Sequence, residues 1–268
     1  MRLYSLWRTA LVLSIVLAVS QPGSVFAQDV PDPEANPGRP TISTPAALTP
    51  VGYLQFETGA LGAEHSAEFS NRASIEETIK FAISTRVQFL VVSEPMVRSD
   101  TGPTTQTDPG GVSLGTQIVL FPPSEGRPTV SLSYMRTVYD GTAPDLDTGT
   151  DRNILFLLIS GDIKKFHFDN NYFFNQQISG DVSRLQTGQT LSVSYPLAGK
   201  FAFTGEVWHF TQPFLKGHAV GLLLAPTYSI NKRLVLDAGF NHGLTDTSTR
   251  WEVFAGFTYL LPKKLWFR

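Results

Sequence analysis

The sequence predicts an all-β protein: a transmembrane, antiparallel, up-and-down β-barrel of about twelve strands that follows a cleaved signal peptide. Three observations predict this fold. Apolar and polar residues alternate over stretches long enough to cross a bilayer, short and long connections alternate along the chain, and an export segment precedes them. Because every backbone polar group must be satisfied in lipid, a chain that lacks continuous apolar helices can cross a membrane only as a closed barrel.

The first 27 residues have the layout of a secretory signal peptide. Arg2 and Arg8 precede an apolar run at 9–19, whose eleven residues are too short to span a bilayer as a helix. The short run argues against an uncleaved anchor. We therefore predict export, with cleavage after Ala27.

Composition excludes several classes of site. The chain has no cysteine, so it holds neither disulfides nor thiolate metal sites. Without Arg2 and Arg8, 19 basic residues face 23 acidic ones, which gives no reason to expect a nucleic-acid partner. No motif indicates a cofactor or a metal.

We predict one barrel domain at 51–261, a Pro-rich irregular segment at 28–50 and a short tail at 262–268.

The segment at 28–50 cannot be a central strand. It contains six prolines, at 31, 33, 37, 40, 45 and 50, and proline has no N–H to donate to a strand ladder. We interpret residues 29–38 as a periplasmic leader. For residues 39–50 two interpretations stay open: a continuation of this leader, or a segment folded into the mouth of the barrel.

Twelve strands follow from the alternation. They are predicted at 51–61, 73–83, 87–93, 111–121, 128–138, 152–161, 166–176, 189–195, 201–210, 218–230, 233–242 and 250–261. Connections after the even-numbered strands are short, whereas those after the odd-numbered strands are mostly longer and polar. Outer-membrane barrels have short periplasmic turns and longer outer loops, which favours this fold over a periplasmic β-sandwich or a lipocalin-like barrel.

The last hairpin, 232–261, shows the pattern most clearly. Trp251, Val253 and Phe257 share one parity, and Glu252 and Gly256 take the other. Side chains alternate between the two faces of a strand, so the first set is predicted to face lipid and the second the lumen. If 243–249 is the loop, Asn241 lies opposite Glu252 on the neighbouring strand.

The last strand also carries an insertion signal. Gly256, Tyr259 and Leu261 have the glycine, aromatic and apolar spacing that resembles the C-terminal signal of outer-membrane barrels. We therefore expect the barrel-insertion machinery and outer-membrane lipid as partners. The chain continues for seven residues beyond this signal.

Parity also predicts which residues line the lumen. An acidic lining favours cations or hydrogen-bonding solutes. The alternative is an ordinary polar interior in which these acids pair with basic residues such as Lys80 and Arg233. The predicted lumen-lining residues are Gln55, Glu57, Glu206, Asp237, Asn241 and Glu252. The Phe-rich faces, including Phe166, Phe168, Phe174, Phe201 and Phe203, are predicted to face lipid.

An enzyme embedded in the barrel is the less favoured alternative. His167 and Asp169 share a face, and His209 and His242 lie near outer loops. Hydrolysis requires such groups within hydrogen-bond reach of a nucleophile. However, the sequence lacks a GxSxG elbow, an HExxH pair and a P-loop, so we predict no catalytic residues.

One family resemblance adds to this interpretation. The segment NPGRPTISTPAALTPVGYLQFE (36–57), the hairpin INKRLVLDAGFNHGLT (230–245) and the ending WEVFAGFTYLL resemble the outer-membrane transporter family linked to the meta-pathway of phenol degradation. The resemblance implies an outer-membrane barrel associated with uptake of aromatic compounds and supplies no catalytic residues.

The expected function is therefore a channel for passive uptake of small molecules, including aromatic or poorly polar ones, in the outer membrane. The alternative is a closed structural or surface-interaction barrel whose lumen is filled by side chains or by residues 39–50.

Overall fold

The computed structural model describes residues 32–146 and 148–265, and these residues form an all-β fold. The predicted signal peptide, its cleavage site after Ala27 and residues 266–268 lie outside the described residues. In the described part of the chain, no helix is long and apolar enough to span a lipid bilayer. The strands are β1 (Leu54–Glu64), β2 (Asn71–Ala82), β3 (Val87–Asp100), β4 (Thr105–Asp108), β5 (Val112–Phe121), β6 (Thr129–Tyr139), β7 (Thr150–Ile163), β8 (Phe166–Ser179), β9 (Val182–Ala198), β10 (Phe201–Gln212), β11 (Gly217–Asn231), β12 (Leu234–Gly243) and β13 (Trp251–Leu260).

Twelve of these strands close into an antiparallel barrel. Each strand pairs with its neighbour in the chain, and β1 pairs with β13 to complete the ring. The short β4 is not part of the ring, because it pairs only with the outer end of β3, while β5 pairs with Val87–Ser93 of that strand. The predicted fold class and the strand number are thus confirmed. Closure leaves the ring without an unpaired edge.

The outer surface of the barrel is apolar. On β13, Trp251, Val253 and Phe257 are exposed while Phe254 and Thr258 are buried. The same alternation places Phe166, Phe174, Phe201 and Phe203 on the exposed face, as predicted, with Phe168 partly exposed. A continuous apolar exterior around a closed barrel is the surface that lipid requires.

Two of the predicted long outer loops are partly strand: much of the one at 94–110 is the hairpin of β3 and β4, and the one after β8 is nearly absent. The connection between β8 and β9 was expected to be a long loop at 177–188, but both strands continue into it and meet at a turn of Gly180 and Asp181. Gly180 has a φ of +57°, which suits a tight hairpin turn. This part of the hairpin is rich in polar residues, so its composition resembles that of a loop.

Candidate functional site

The interior of the barrel contains residues 33–50, here called the N-terminal segment. It forms no strand. At one end Ala35 N–H donates to Lys232 O (2.7 Å) in the β11–β12 turn, and at the other Gly52 N–H donates to Ala82 O (2.8 Å) at the end of β2. The expectation that residues up to 38 form a leader outside the barrel is therefore wrong for 33–38, and residues 29–31 lie outside the described residues.

The N-terminal segment bonds to inward side chains rather than to strand backbones. Its prolines lack the N–H that a ladder needs. Other amides of the segment donate to side chains on five strands, so the segment passes around much of the inner wall. The acceptors are Gln55 and Glu57 on β1, Glu206 on β10, Asn171 on β8, Ser160 on β7, and Gln88 on β3.

Glu206 is the most heavily used of these acceptors. It accepts hydrogen bonds from the backbone N–H of Ile42 (2.8 Å) and Ser43 (2.7 Å) and from the Ser43 hydroxyl (2.5 Å). The Glu206 side chain is buried. A carboxylate that accepts several donors compensates for its loss of hydration. Glu206 therefore fixes the middle of the N-terminal segment to β10.

Glu57 anchors the segment nearer its start. Its carboxylate accepts the Gly38 N–H (3.0 Å) and the Arg39 N–H (3.2 Å), and it forms an ion pair with Lys80 Nζ at 2.5 Å. Both charged side chains are at least nine-tenths buried. The interior charge pairing expected for Lys80 is present, and it holds the segment against β1 and β2.

Arg39 extends from the segment across four strands. Its guanidinium forms ion pairs with Glu76 on β2 (3.0 Å) and with Asp237 on β12 (3.3 Å). Between those strands lie Gly59 on β1 and Gly256 on β13, which pair directly with each other. A Cβ built on Gly59 would overlap Arg39 Nη2, and one on Gly256 would lie 2.8 Å from Arg39 Nε. The two glycines therefore provide the space that the guanidinium occupies.

Replacing Gly59 with alanine is expected to destabilise the folded barrel by about 1–3 kcal/mol, because the added methyl overlaps the Arg39 guanidinium and also lies 2.8 Å from the Ala255 backbone oxygen. The measurement is the urea midpoint of the heat-modifiable folded band on gels. Gly62→Ala on the same strand is the control, since its Cβ would meet Val253 Cγ2 at an ordinary 3.6 Å. Equal midpoints for the two variants would contradict the close packing of Arg39 and the Ala255 oxygen around Gly59.

The predicted lumen-lining residues lie on the inner face of the wall. Gln55, Glu57 and Glu206 contact the N-terminal segment directly, and Asp237 contacts it through Arg39. Asn241 is buried and its Oδ1 accepts the Trp208 Nε1–H at 2.8 Å. Asn241 lies directly opposite Glu252 in the β12–β13 ladder, so the predicted register is confirmed.

Two cavities lie beside the N-terminal segment. The larger, of about 520 Å³, is lined by the segment and by residues on β1–β3 and β5–β7. The smaller, of about 270 Å³, is lined by residues 39–42 and by Leu61, Trp208, Phe210, Leu223, Asn241, Glu252 and Phe254. Arg39, Thr41, Glu76 and Leu146 line both. The segment therefore lies between a larger cavity and a smaller one that is lined by the aromatic side chains of Trp208, Phe210 and Phe254.

Inward aromatic residues were missing from the sequence-based site. Trp208 stacks on Phe210 with ring centroids 4.9 Å apart, and Phe210 contacts Phe173 at 5.1 Å. Trp208 and Phe210 have the same parity as Glu206 on β10, and Phe254 has that of Glu252 on β13. The parity that selected the polar residues could therefore have identified these rings. They were overlooked because aromatic residues were assigned to the lipid face.

Residues 144–146 of the β6–β7 loop contact β2 and the β1–β2 and β12–β13 loops at the outer mouth. Arg72 Nε donates to Pro144 O (3.1 Å), and Leu146 O accepts the hydroxyls of Ser66 (3.2 Å) and Thr249 (3.4 Å). The Leu146 side chain packs against an apolar cluster of Leu61, Ala63, Phe69, Leu223, Ala225 and Phe254. These contacts bring the loop over the two cavities, so the mouth is narrowed from outside as well.

Electrostatics in this loop depends on pH. Burial raises the pKa of the Asp145 carboxyl to about 7, and the nearby Asp151 and Glu94 carboxylates add to the rise while the Thr150 hydroxyl opposes it. Asp145 lines the larger cavity. Near neutral pH this carboxyl is about half protonated, so the negative charge of the cavity increases as the pH rises through 7.

The predicted histidine candidates do not assemble a hydrolytic site. Asp169 lies between Ser160 and His167: the Ser160 hydroxyl donates to Asp169, and His167 Nε2 is 3.4 Å from the same carboxylate. A hydrolase instead needs the histidine in contact with the nucleophile. His209 bonds to His218 (2.9 Å) on the exposed face. Within 32–146 and 148–265, no three His, Cys, Asp or Glu side chains are grouped to hold a metal ion.

Solved structures with similar folds include membrane channels. A crystal structure of an outer-membrane channel from Pseudomonas putida F1 matches with a TM-score of 0.60 at 12% identity, covering 85% of this chain and 100% of that chain. The NanC porin matches with a TM-score of 0.53 at 11% identity, covering 76% of this chain and 100% of that one. Comparison with protein-family models and with curated proteins finds no match.

The fold shared with these proteins is an outer-membrane barrel. It agrees with the closed ring and the apolar exterior described above, and together these place the chain in the outer membrane. The barrel part of the family resemblance is thereby supported. The link to phenol degradation receives no support from the family models.

Proposed function

We propose that the protein is an outer-membrane channel for passive uptake of small molecules, and that the N-terminal segment controls the width of its lumen. The observation that carries this proposal is the pair of cavities, of about 520 and 270 Å³, on either side of the segment inside a closed barrel. The fold shared with a channel and a porin supports it. Twelve strands enclose a lumen between the filled barrels of about eight strands and the open porins of about sixteen.

The solutes we propose are small and include aromatic or weakly polar compounds. Trp208, Phe210, Leu223 and Phe254 line the smaller cavity, and such side chains bind apolar ligand surface. Asn241 and Glu252 add polar groups that can orient a hydroxyl. The resemblance to the family linked to phenol degradation favours the same class of solute.

Lipid and the barrel-insertion machinery are the proposed partners. Tyr259 and Leu261 follow the glycine, aromatic and apolar spacing of the insertion signal. Gly256, the first residue of that signal, also borders Arg39 in the lumen. One residue thus serves both the proposed recognition of the last strand and the packing of the segment.

A closed structural barrel is the second candidate. It is favoured by the number of bonds that hold the N-terminal segment, since inward side chains on five strands accept its amides. In this alternative the segment is a permanent part of the core. Catalysis is not proposed, because Asp169 separates Ser160 from His167.

Planar-bilayer recording and liposome uptake test the proposal. We expect discrete conductance steps from the purified folded protein, and uptake of a small neutral aromatic solute such as phenol faster than of a large sugar. Liposomes that contain heat-denatured protein are the control. Absence of both conductance and uptake, in the full chain and in a chain without the N-terminal segment, would favour the closed barrel.

A further inference from the structure

A row of four inner-wall positions crosses the β12, β13, β1 and β2 strands. Asp237 pairs with Gly256, Gly256 pairs with Gly59, and Gly59 pairs with Glu76. The order along the row is therefore carboxylate, glycine, glycine, carboxylate. Three strand spacings separate the two acidic positions, about 14 Å between their backbones. The Asp237 and Glu76 side chains therefore converge above Gly256 and Gly59, which have no side chains.

This row holds a guanidinium. Arg39 lies on the two glycines, and its Nη1 and Nη2 reach Glu76 and Asp237 at 3.0 and 3.3 Å. The Phe254 ring lies 6.0 Å from Arg39 Cζ. Two carboxylates at opposite ends match a planar cation with several donors, whereas a compact ammonium would reach them less well. An aromatic face beside the cation adds to the match.

Attachment of the N-terminal segment does not depend on this row alone. Glu57 and Glu206 bind backbone amides on both sides of Arg39, and Asn171 binds the amide of Thr44. Arg39 and Glu76 also line both cavities, so the row lies beside space that a solute can occupy. A site that borders both cavities would contact any solute that passes between them.

We propose that this row is a binding site for guanidinium-bearing organic cations, and that Arg39 occupies it as a tethered ligand. The inference rests on the proposed function, because a solute reaches the row only through the lumen. When the Arg39 side chain leaves, Asp237 and Glu76 accept the guanidinium of a solute in its place. Carboxylate solutes are repelled by the two acids, and neutral solutes lack the ion pairs.

Chemical rescue in detergent tests the site. In Arg39→Ala, millimolar methylguanidinium is expected to bind and to raise the urea midpoint of the folded band, while the wild type shows no shift. Methylurea, a neutral molecule of the same shape, is expected to have no effect, and methylammonium a smaller effect. Adding Asp237→Asn to Arg39→Ala should weaken methylguanidinium binding by about tenfold, since one charge-assisted contact is lost.

Asn36→Ala is the matched control, because Asn36 lies on the same segment and its side-chain Nδ2 donates to Ala47 O (2.8 Å), away from the row. This variant should respond like the wild type. If Arg39→Ala does not fold, Arg39→Gln refolded with and without methylguanidinium replaces it, and a higher folded yield with the cation supports the site. Equal responses of Arg39→Ala, or of its replacement, to methylguanidinium and methylurea overturn the proposal.

The binding assay is independent of conductance. Binding by Arg39→Ala without conductance in bilayers supports the site and contradicts only the channel. Conductance with no binding contradicts the site and leaves the channel supported.

Discussion

Deleting residues 33–48 is expected to raise the single-channel conductance several-fold. The N-terminal segment donates its amides to inward side chains on five strands and lies between the two cavities. Its removal joins these cavities, and water can then hydrate the inward polar side chains. Flow through a pore depends on its narrowest cross-section, so removing the segment outweighs any single side-chain change. Planar-bilayer recording of the folded variant measures the effect.

The control for this deletion removes residues 101–104, at the tip of the β3–β4 hairpin. Gly102 in this tip has open space around it, so the change leaves the lumen untouched. Both variants must show the heat-modifiable folded band before they are compared. A folded 33–48 deletion with wild-type conductance would contradict the role of the segment as the constriction.

Replacing Glu206 with glutamine is expected to loosen the segment and raise the conductance. Glu206 accepts two backbone N–H groups and one hydroxyl from Ile42 and Ser43. Glutamine keeps one acceptor oxygen and places an NH₂ group against the remaining donors. A buried donor left without an acceptor costs about 1–3 kcal/mol, which shifts the segment away from β10. Higher and more variable conductance in bilayers is the expected result.

Glu252→Gln is the matched comparison, since Glu252 is on the inner face of β13 and lines the smaller cavity. This change removes a charge from the lining and leaves Glu206 in place. We expect a lower preference for cations, measured from reversal potentials in a salt gradient, with conductance close to wild type. If the conductance rose in Glu252→Gln and not in Glu206→Gln, this result would show that Glu206 does not hold the segment.

The direction of the side chains and the register of the last hairpin can be predicted from local sequence. The period of two places Glu206 and Asp237 inward, and the loop length predicts that Asn241 lies opposite Glu252. Both depend on neighbouring residues in one strand or one hairpin. The same alternation also predicts that Trp208 and Phe254 face inward. They were not predicted because aromatic residues were assigned to the lipid face.

The position of the N-terminal segment was decided only by the tertiary structure. Its prolines show that residues 33–50 are not a central strand, and they do not show where the segment lies. Its amides find acceptors far along the chain, such as Glu206 for Ser43 and Asn171 for Thr44, which come within reach only after the barrel closes. Likewise, Gly59 and Gly256 are distant in sequence and adjacent in the ring. The sequence by itself determined a wall with an inner and an outer face, whereas closure of the ring determined what the inner face binds.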